Sequence, residues 1–230
     1  MANRCLLYYI TDRSQFRGDE RARRGALLAK VAEAARARVD YIQLREKDLS
    51  TRELEMLARD ALSAVRNSTP LRTEIRELRT RLLINSRTDV ALAAEADGVH
   101  LRADDLSSRE ARAVVQLSDQ LCVQRPLAAD HFLVAASCHS NEDVIRADSE
   151  AADFAVFAPV FEKDNAPGRQ PTGLAALHEA CRAKIPVLAL GGVTMENAAS
   201  CLEAGAAGVA GIRLFQENKI EDVVRALRAL

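Results

Sequence analysis

The chain has 230 residues, 48% of them hydrophobic, with 32 Lys and Arg against 33 Asp and Glu. That length buries a substantial core in one large domain or two small ones. The near-zero charge excludes the strongly basic footprint of a general nucleic-acid binder, and no apolar run reaches the roughly 18–20 residues of a membrane span. The N-terminal stretch turns polar too soon for a signal peptide. The five cysteines, Cys5, Cys122, Cys138, Cys181 and Cys201, form no CxxC pair, the pattern of reduced thiols in a cytoplasmic protein. With 4% aromatic residues and no Trp, base- or sugar-stacking platforms are not expected.

In chain order, short apolar runs alternate with longer amphipathic stretches. Strands are predicted over 5–10, 40–44, 81–84, 98–101, 132–136, 153–158, 186–190 and 207–212. They read as continuous hydrophobic runs, as strands buried on both faces do. Helical patterns rich in Ala, Leu, Arg and Glu lie between them, as over 21–36 and 51–65. Ser50-Thr-Arg-Glu53, Ser86-Arg-Thr-Asp89 and Ser107-Ser-Arg-Glu110 place a cap and an acid three positions on, just after a strand. Glu95-Ala-Asp-Gly-Val99, Glu150-Ala-Ala-Asp-Phe154 and Glu203-Ala-Gly-Ala-Ala-Gly-Val209 repeat one helix-to-strand joint. Eight alternations predict a parallel sheet closed as a single (β/α)8 TIM barrel over 1–230, with rim insertions near 67–80, partly helical, and 121–131. The alternative is an open doubly wound sheet, but no nucleotide fingerprint follows the first strand.

In such a barrel the chemistry sits at the carboxyl ends of the strands. After the second strand, Gln43-Leu-Arg-Glu-Lys47 puts Gln43, Arg45 and Lys47 on one side if the strand continues. Two cations and an amide suit an anionic ligand, and the plainer reading is a solvated charge run. Asn85-Ser-Arg87 follows the third strand and Arg102-Ala-Asp-Asp105 the fourth. Carboxylates there either hold Mg²⁺ or cap the next helix. Ser137-Cys-His-Ser140 ends the fifth strand, with His139 an acid/base or a structural histidine and Cys138 a packing residue. Gly191-Gly192 after the seventh strand and Gly211-Ile-Arg213 after the eighth lie where phosphate-binding barrels present backbone N–H groups, although a plain tight turn also accounts for the glycine pair. These residues point to a barrel enzyme for phosphorylated small molecules.

In this order the pieces resemble the thiamine phosphate synthase family and its thiazole tautomerase branch. The resemblance runs from Tyr9-Ile-Thr-Asp12 to Ala210-Gly-Ile212 and rests most on Gln43-Leu-Arg-Glu-Lys-Asp-Leu-Ser50, Leu83-Ile-Asn-Ser-Arg-Thr-Asp-Val-Ala-Leu-Ala93, Ala96-Asp-Gly-Val-His-Leu101, Ser137-Cys-His-Ser140, Pro159-Val-Phe161 and Pro186-Val-Leu-Ala-Leu-Gly-Gly-Val193. It implies a transferase that joins hydroxymethylpyrimidine pyrophosphate to thiazole phosphate, giving thiamine phosphate and pyrophosphate through a pyrimidine cation. By resemblance, Gln43, Arg45, Lys47 and Asn85 grip the pyrophosphate, Asp105 ligates Mg²⁺ and Ser137 assists the leaving group. Gly173 and Gly192 contact the thiazole phosphate, with Gly191 and Ile212 as further substrate-binding candidates.

The chain also departs from the family pattern. Ser86 stands where a second Mg²⁺ carboxylate is usual, with Asp104 a candidate substitute. The phosphate loop after the sixth strand is rebuilt as Glu162-Lys-Asp-Asn-Ala166, leaving Lys163 as its cation, and Arg213 replaces a small residue. The tautomerase branch isomerises a thiazole carboxylate phosphate with the histidine matching His139 and needs no metal. A third reading is a non-catalytic binder of thiazole or thiamine phosphate. No nucleic-acid or membrane partner is implied, and the pattern is compatible with a homo-oligomer.

Overall fold

The computed structural model describes residues 4–68, 79–121, 132–162 and 170–230. Eight parallel strands close into one barrel in sequence order. They are β1 (Leu6–Ile10), β2 (Tyr41–Leu44), β3 (Arg81–Asn85), β4 (Gly98–Leu101), β5 (Leu133–Cys138), β6 (Phe154–Phe157), β7 (Val187–Ala189) and β8 (Gly208–Gly211). Each falls on a predicted run, β4 with both ends unchanged and no end shifted by more than two residues. Around them lie α1 (Glu20–Arg36), α2 (Thr51–Ser68), α3 (Thr88–Ala94), α4 (Ser108–Leu121), α5 (Asn141–Ser149), α6 (Gly173–Ala180), α7 (Ala198–Glu203), α8 (Arg213–Gln216) and α9 (Ile220–Leu227). Helix α2 continues to Ser68, into the first expected insertion. Residues 69–78 of that insertion, almost all of the second, and Lys163 lie outside the described residues.

The continuous apolar runs are explained by two cores. The outward strand faces and the inner helix faces form the larger one. The inward faces pack Tyr8, Ile10, Leu83, Leu133, Ala135, Phe154, Val156, Leu188 and Ala210 down the barrel axis. Following the strand register, inward residues stack in layers drawn from alternate strands. Tyr8, Leu83, Ala135 and Leu188 form an apolar layer; Gln43, His100, Val156 and Ala210 lie above it, followed by Ile10, Asn85, Ser137 and Leu190. Polarity therefore enters from the β2–β5 side alone, while β6–β8 and β1 stay apolar.

At the opposite, amino-terminal end, three aspartates tie neighbouring strands together. Asp40 accepts from Leu7 N–H, Asp97 from Leu82 N–H and Asp153 from Val134 N–H, at 2.9, 2.9 and 2.6 Å. Two of them belong to the repeated helix-to-strand joint, whose sequence similarity thus has a structural cause: the acid satisfies the first free amide of the preceding strand.

Capping follows the sequence at two of three places. Ser50 with Glu53 and Ser107 with Glu110 exchange bonds between side chain and backbone in both directions. The expectation at Ser86 is corrected. Arg87 occupies the N-cap of α3 without a side-chain cap, and Ser86 sits in the left-handed region with φ 63°. Its hydroxyl accepts from Asn85 Nδ2 at 3.0 Å instead, so the sharp exit from β3 takes the serine away from the helix end.

Candidate active site

Two cavities open at the carboxyl ends of the strands. The mouth cavity, about 660 Å³, is lined by Gln43, Arg45, Lys47, Asn85, His100, Arg102, Asp104, Ser137 and His139 on one side. Its other wall is apolar, made by Ile10, Ala158, Pro159, Phe161, Leu190 and Ile212. A second cavity of about 690 Å³ is lined by Gly191, Gly192, Thr194, Asn197 and Arg213 among others, and shares Phe161, Leu190 and Ile212 with the first.

β2 ends at Leu44, yet Gln43, Arg45 and Lys47 all reach the mouth cavity. The alternation persists because the segment beyond the strand is held from behind. Arg45 N–H donates to Thr11 Oγ1 at 3.0 Å, and the Thr11 hydroxyl donates to Glu46 at 2.6 Å. Glu46, turned away from the mouth and buried, also accepts from Arg13 N–H and from the Arg13 guanidinium at 3.1 Å. Arg13 in turn grips Asp48 through both terminal nitrogens, at 2.6 and 2.7 Å. Glu46 thus anchors the segment between the two cations that face the ligand space.

Those cations repel one another. Arg45 beside it, then burial and Arg102, hold the Lys47 ammonium below the usual lysine range. An arriving anion relieves that repulsion, so the rim is prepared for a multiply charged group. On the floor, Gln43 Nε2 donates to Asn85 Oδ1 at 2.7 Å, and Asn85 passes a bond to Ser86. His139 donates from Nδ1–H to the Ala158 carbonyl at 2.7 Å. Its Nε2 in the neutral ring is therefore an open acceptor in the cavity. Cys138 is buried in the core, and burial pushes its thiol up to about 12, as a packing residue requires.

Gly191 and Gly192 have positive φ, 96° and 64°, and a Cβ on Gly192 would lie 2.5 Å from the Glu162 carbonyl oxygen. Only glycine permits this turn against the β6 exit. The turn's carbonyls are occupied, Gly191 O by Phe161 N–H and Gly192 O by Asn197 Nδ2. The amides of the two glycines have no acceptor among the described residues. Ile212 and Arg213 stand on the same cavity. Gly173 is set apart: its N–H donates to the Val160 carbonyl at 3.1 Å, and it lines neither cavity.

Asp105 is also outside the mouth lining. It faces a smaller adjoining cavity of about 250 Å³, with Oδ2 accepting from Arg102 N–H at 2.7 Å. Asp104 lines the mouth, but its carboxylate is gripped by the Arg102 guanidinium through two bonds, one of them Nε to Oδ1 at 2.9 Å. Among the described residues no three His, Cys, Asp or Glu side chains come together as a metal cluster.

Sequence reasoning passed over three residues. His100 and Tyr8 lie inside predicted strands, and Arg102 stands in a run singled out for its carboxylates. Inward-facing positions are identified by register, not by residue type; a polar residue at the penultimate position of an apolar strand was the one available signal for His100.

The closed barrel, with two cavities at the carboxyl ends of its strands, has the architecture of a (β/α)8-barrel enzyme. The comparisons narrow the class. The thiamine monophosphate synthase family model matches residues 7–215, and the chain belongs to that family. It is 36% identical to a putative thiamine-phosphate synthase 2 of Aquifex aeolicus, covering 92% of this chain and 97% of that one. It is 39% identical to a thiamine-phosphate synthase of Methanoculleus marisnigri, covering 96% and 93%. The solved thiamine phosphate pyrophosphorylase of Pyrococcus furiosus superposes with a TM-score of 0.74 at 27% identity, covering 99% of this chain and 95% of that one. Among the described residues no helix is long and apolar enough to cross a membrane.

Proposed function

We infer that this protein is a thiamine phosphate synthase, condensing hydroxymethylpyrimidine pyrophosphate with thiazole phosphate to thiamine phosphate and pyrophosphate. The observation that carries the reading is the pair of cavities joined across Phe161, Leu190 and Ile212. Each offers an anion-binding end, and the apolar wall between them is where two aromatic rings can meet. In the mouth, Arg45, Lys47 and Arg102 receive the pyrophosphate, with Gln43 and Asn85 as neutral donors. As the bond from the pyrimidine methylene carbon to pyrophosphate breaks, the electron pair leaves with the oxygen. The rim cations and Ser137 stabilise that charge. The thiazole phosphate, held near Gly191, Gly192 and Arg213, brings its ring nitrogen to the same carbon and forms the new bond. Holding both partners in line removes much of the entropic barrier.

The residues present do not fit a built Mg²⁺ site. Asp105 is turned from the mouth, Asp104 is taken by Arg102, and Ser86 is neutral, whereas Mg²⁺ demands an octahedron of oxygens. Any Mg²⁺ would be held chiefly by the pyrophosphate itself. The rebuilt rim supplies a guanidinium, Arg102, beside the other two cations. Such a biosynthetic role fits a cytoplasmic enzyme.

The test is incubation of the purified protein with both substrates, following thiamine phosphate and pyrophosphate in equal amounts. Absence of product at saturating substrates from folded protein overturns the reading. The open Nε2 of His139 then favours the tautomerase: proton transfer on a thiazole carboxylate phosphate, lost in His139→Ala, is its signature.

A further inference from the structure

We propose that Tyr8 and His100 form a fixed relay that turns the hydroxyl proton of Ser137 toward the mouth cavity, making both of them positioning residues for Ser137. The inference rests in its kinetic part on the synthase reading and in its structural part on geometry alone. Tyr8 is fully buried and His100 nearly so. The Tyr8 hydroxyl lies 3.0 Å from His100 Nδ1, and His100 Nε2 lies 2.8 Å from Ser137 Oγ. Tyr41 and Phe154 meet the Tyr8 ring at edge-on angles of 84° and 83°, which fixes the phenol in place.

The direction of each bond follows from satisfying every proton. Among the described residues Nδ1 is the one acceptor recorded for the Tyr8 hydroxyl. If Tyr8 donates to Nδ1, the ring proton is on Nε2, and Nε2–H donates to Ser137 Oγ. A hydroxyl that has accepted there directs its own proton elsewhere, and Ser137 lines the mouth. The reverse tautomer would leave the Tyr8 proton without an acceptor in a sealed interior, which native structures avoid. It would also make Ser137 present only lone pairs to an anion. Burial and the nearby Arg45 push the imidazole down to about 3, so the ring is neutral at physiological pH and has one proton to place. Burial likewise keeps the phenol protonated.

In the condensation, the oxygen that receives the electron pair from the breaking C–O bond gains negative charge. An outward Ser137 O–H donates a hydrogen bond to it, without transferring its proton. The relay is thus a device for presenting a donor where the sequence alone offers an ambivalent hydroxyl.

The experiment uses the whole chain labelled with ¹⁵N-histidine. Long-range proton–nitrogen correlation, with His100 assigned from its contacts to the Tyr8 ring, reports which nitrogen carries the proton. A protonated Nε2 and a bare Nδ1 are expected, and a protonated Nδ1 overturns the relay. This needs neither a variant nor activity, so absence of condensation would remove the synthase reading and leave the tautomer to decide the proposal. Where condensation is observed, Tyr8→Phe should lower kcat about 10- to 100-fold, the loss of one hydrogen bond to a charged oxygen, with KM for thiazole phosphate unchanged. Ser137→Ala should cost a similar factor, and adding Tyr8→Phe to it should cost nothing further. Fully multiplicative losses in the double variant would refute coupling through Ser137.

Discussion

Replacing Arg13 by methionine tests whether the segment bearing Arg45 and Lys47 is held from behind. The Arg13 side chain is 7% exposed and pairs with Glu46, 2% exposed, and with Asp48 and Glu20, 72% and 48% exposed. The two exposed partners are screened by water and contribute little. Glu46 decides the outcome. Without the guanidinium its carboxylate stays buried with only Thr11 and a backbone N–H, and burial already pushes its pKa above the usual carboxylate range against the pull of those partners. Breaking a buried pair on one side costs about 3–5 kcal/mol. For a domain of this size that lowers Tm by roughly 6–20 °C. Scanning calorimetry or thermal circular dichroism reads it. Adding Glu46→Gln, which keeps an acceptor for Thr11 but removes the charge, should recover at least half the loss. A single variant within about 2 °C of the parent, or a double variant less stable than Arg13→Met, would refute the reasoning.

Arg45→Ala and Lys47→Ala should each reduce kcat/KM for the pyrimidine substrate by at least about 100-fold, the scale of one or two charge-assisted bonds, while Tm stays unchanged; full activity in both would remove the anion site from this rim. Gly192→Ala forces an L-residue to φ 64° and a Cβ to 2.5 Å from the Glu162 carbonyl, so denaturant unfolding should show about 1–3 kcal/mol lost, together with a raised KM for thiazole phosphate. His100 has a folded-state pKa near 3 against an ordinary 6.5; the fold therefore binds fewer protons than the unfolded chain between those values. Its contribution is present above pH 6.5 and is lost as pH falls through that window, at up to about 1.4 kcal/mol per unit, and His100→Gln should flatten the acid limb of a stability–pH curve. Ser86→Asp restores a carboxylate beside Asn85, and activity titrated with Mg²⁺ should reach half-maximum at a concentration at least several-fold lower; an unchanged titration would show that residue 86 does not face the metal.

The barrel was legible because each strand is apolar on both faces and each helix carries its own stripe, so period and length alone separate them. Gln43, Arg45 and Lys47 were legible for a related reason: three polar residues at alternate positions after an apolar run leave few places to point except the mouth. Ser86 was misread because a cap is inferred from spacing, whereas the left-handed turn at φ 63° is set by how β3 exits. His100 was passed over because facing inward depends on which residue of β3 sits beside it, a property of register that appears only when Asn85 is paired with it across the sheet.

The same register couples the polar residues of the mouth to one another. Asn85 and Ser137 share one layer, with His100 in the layer beneath and Arg45 and Arg102 at the rim above. An alteration at any one position changes the charge felt at the others. The Arg102 guanidinium raises the positive potential on the side of the mouth that Arg45 and Lys47 already occupy. Asp104, drawn onto Arg102, returns part of it. On the synthase reading, a pyrophosphate arriving there competes with that carboxylate for the same guanidinium, and its several charges, shared with Arg45 and Lys47, favour the exchange. That exchange would make the rim strongest toward groups carrying several charges and weak toward simple carboxylates.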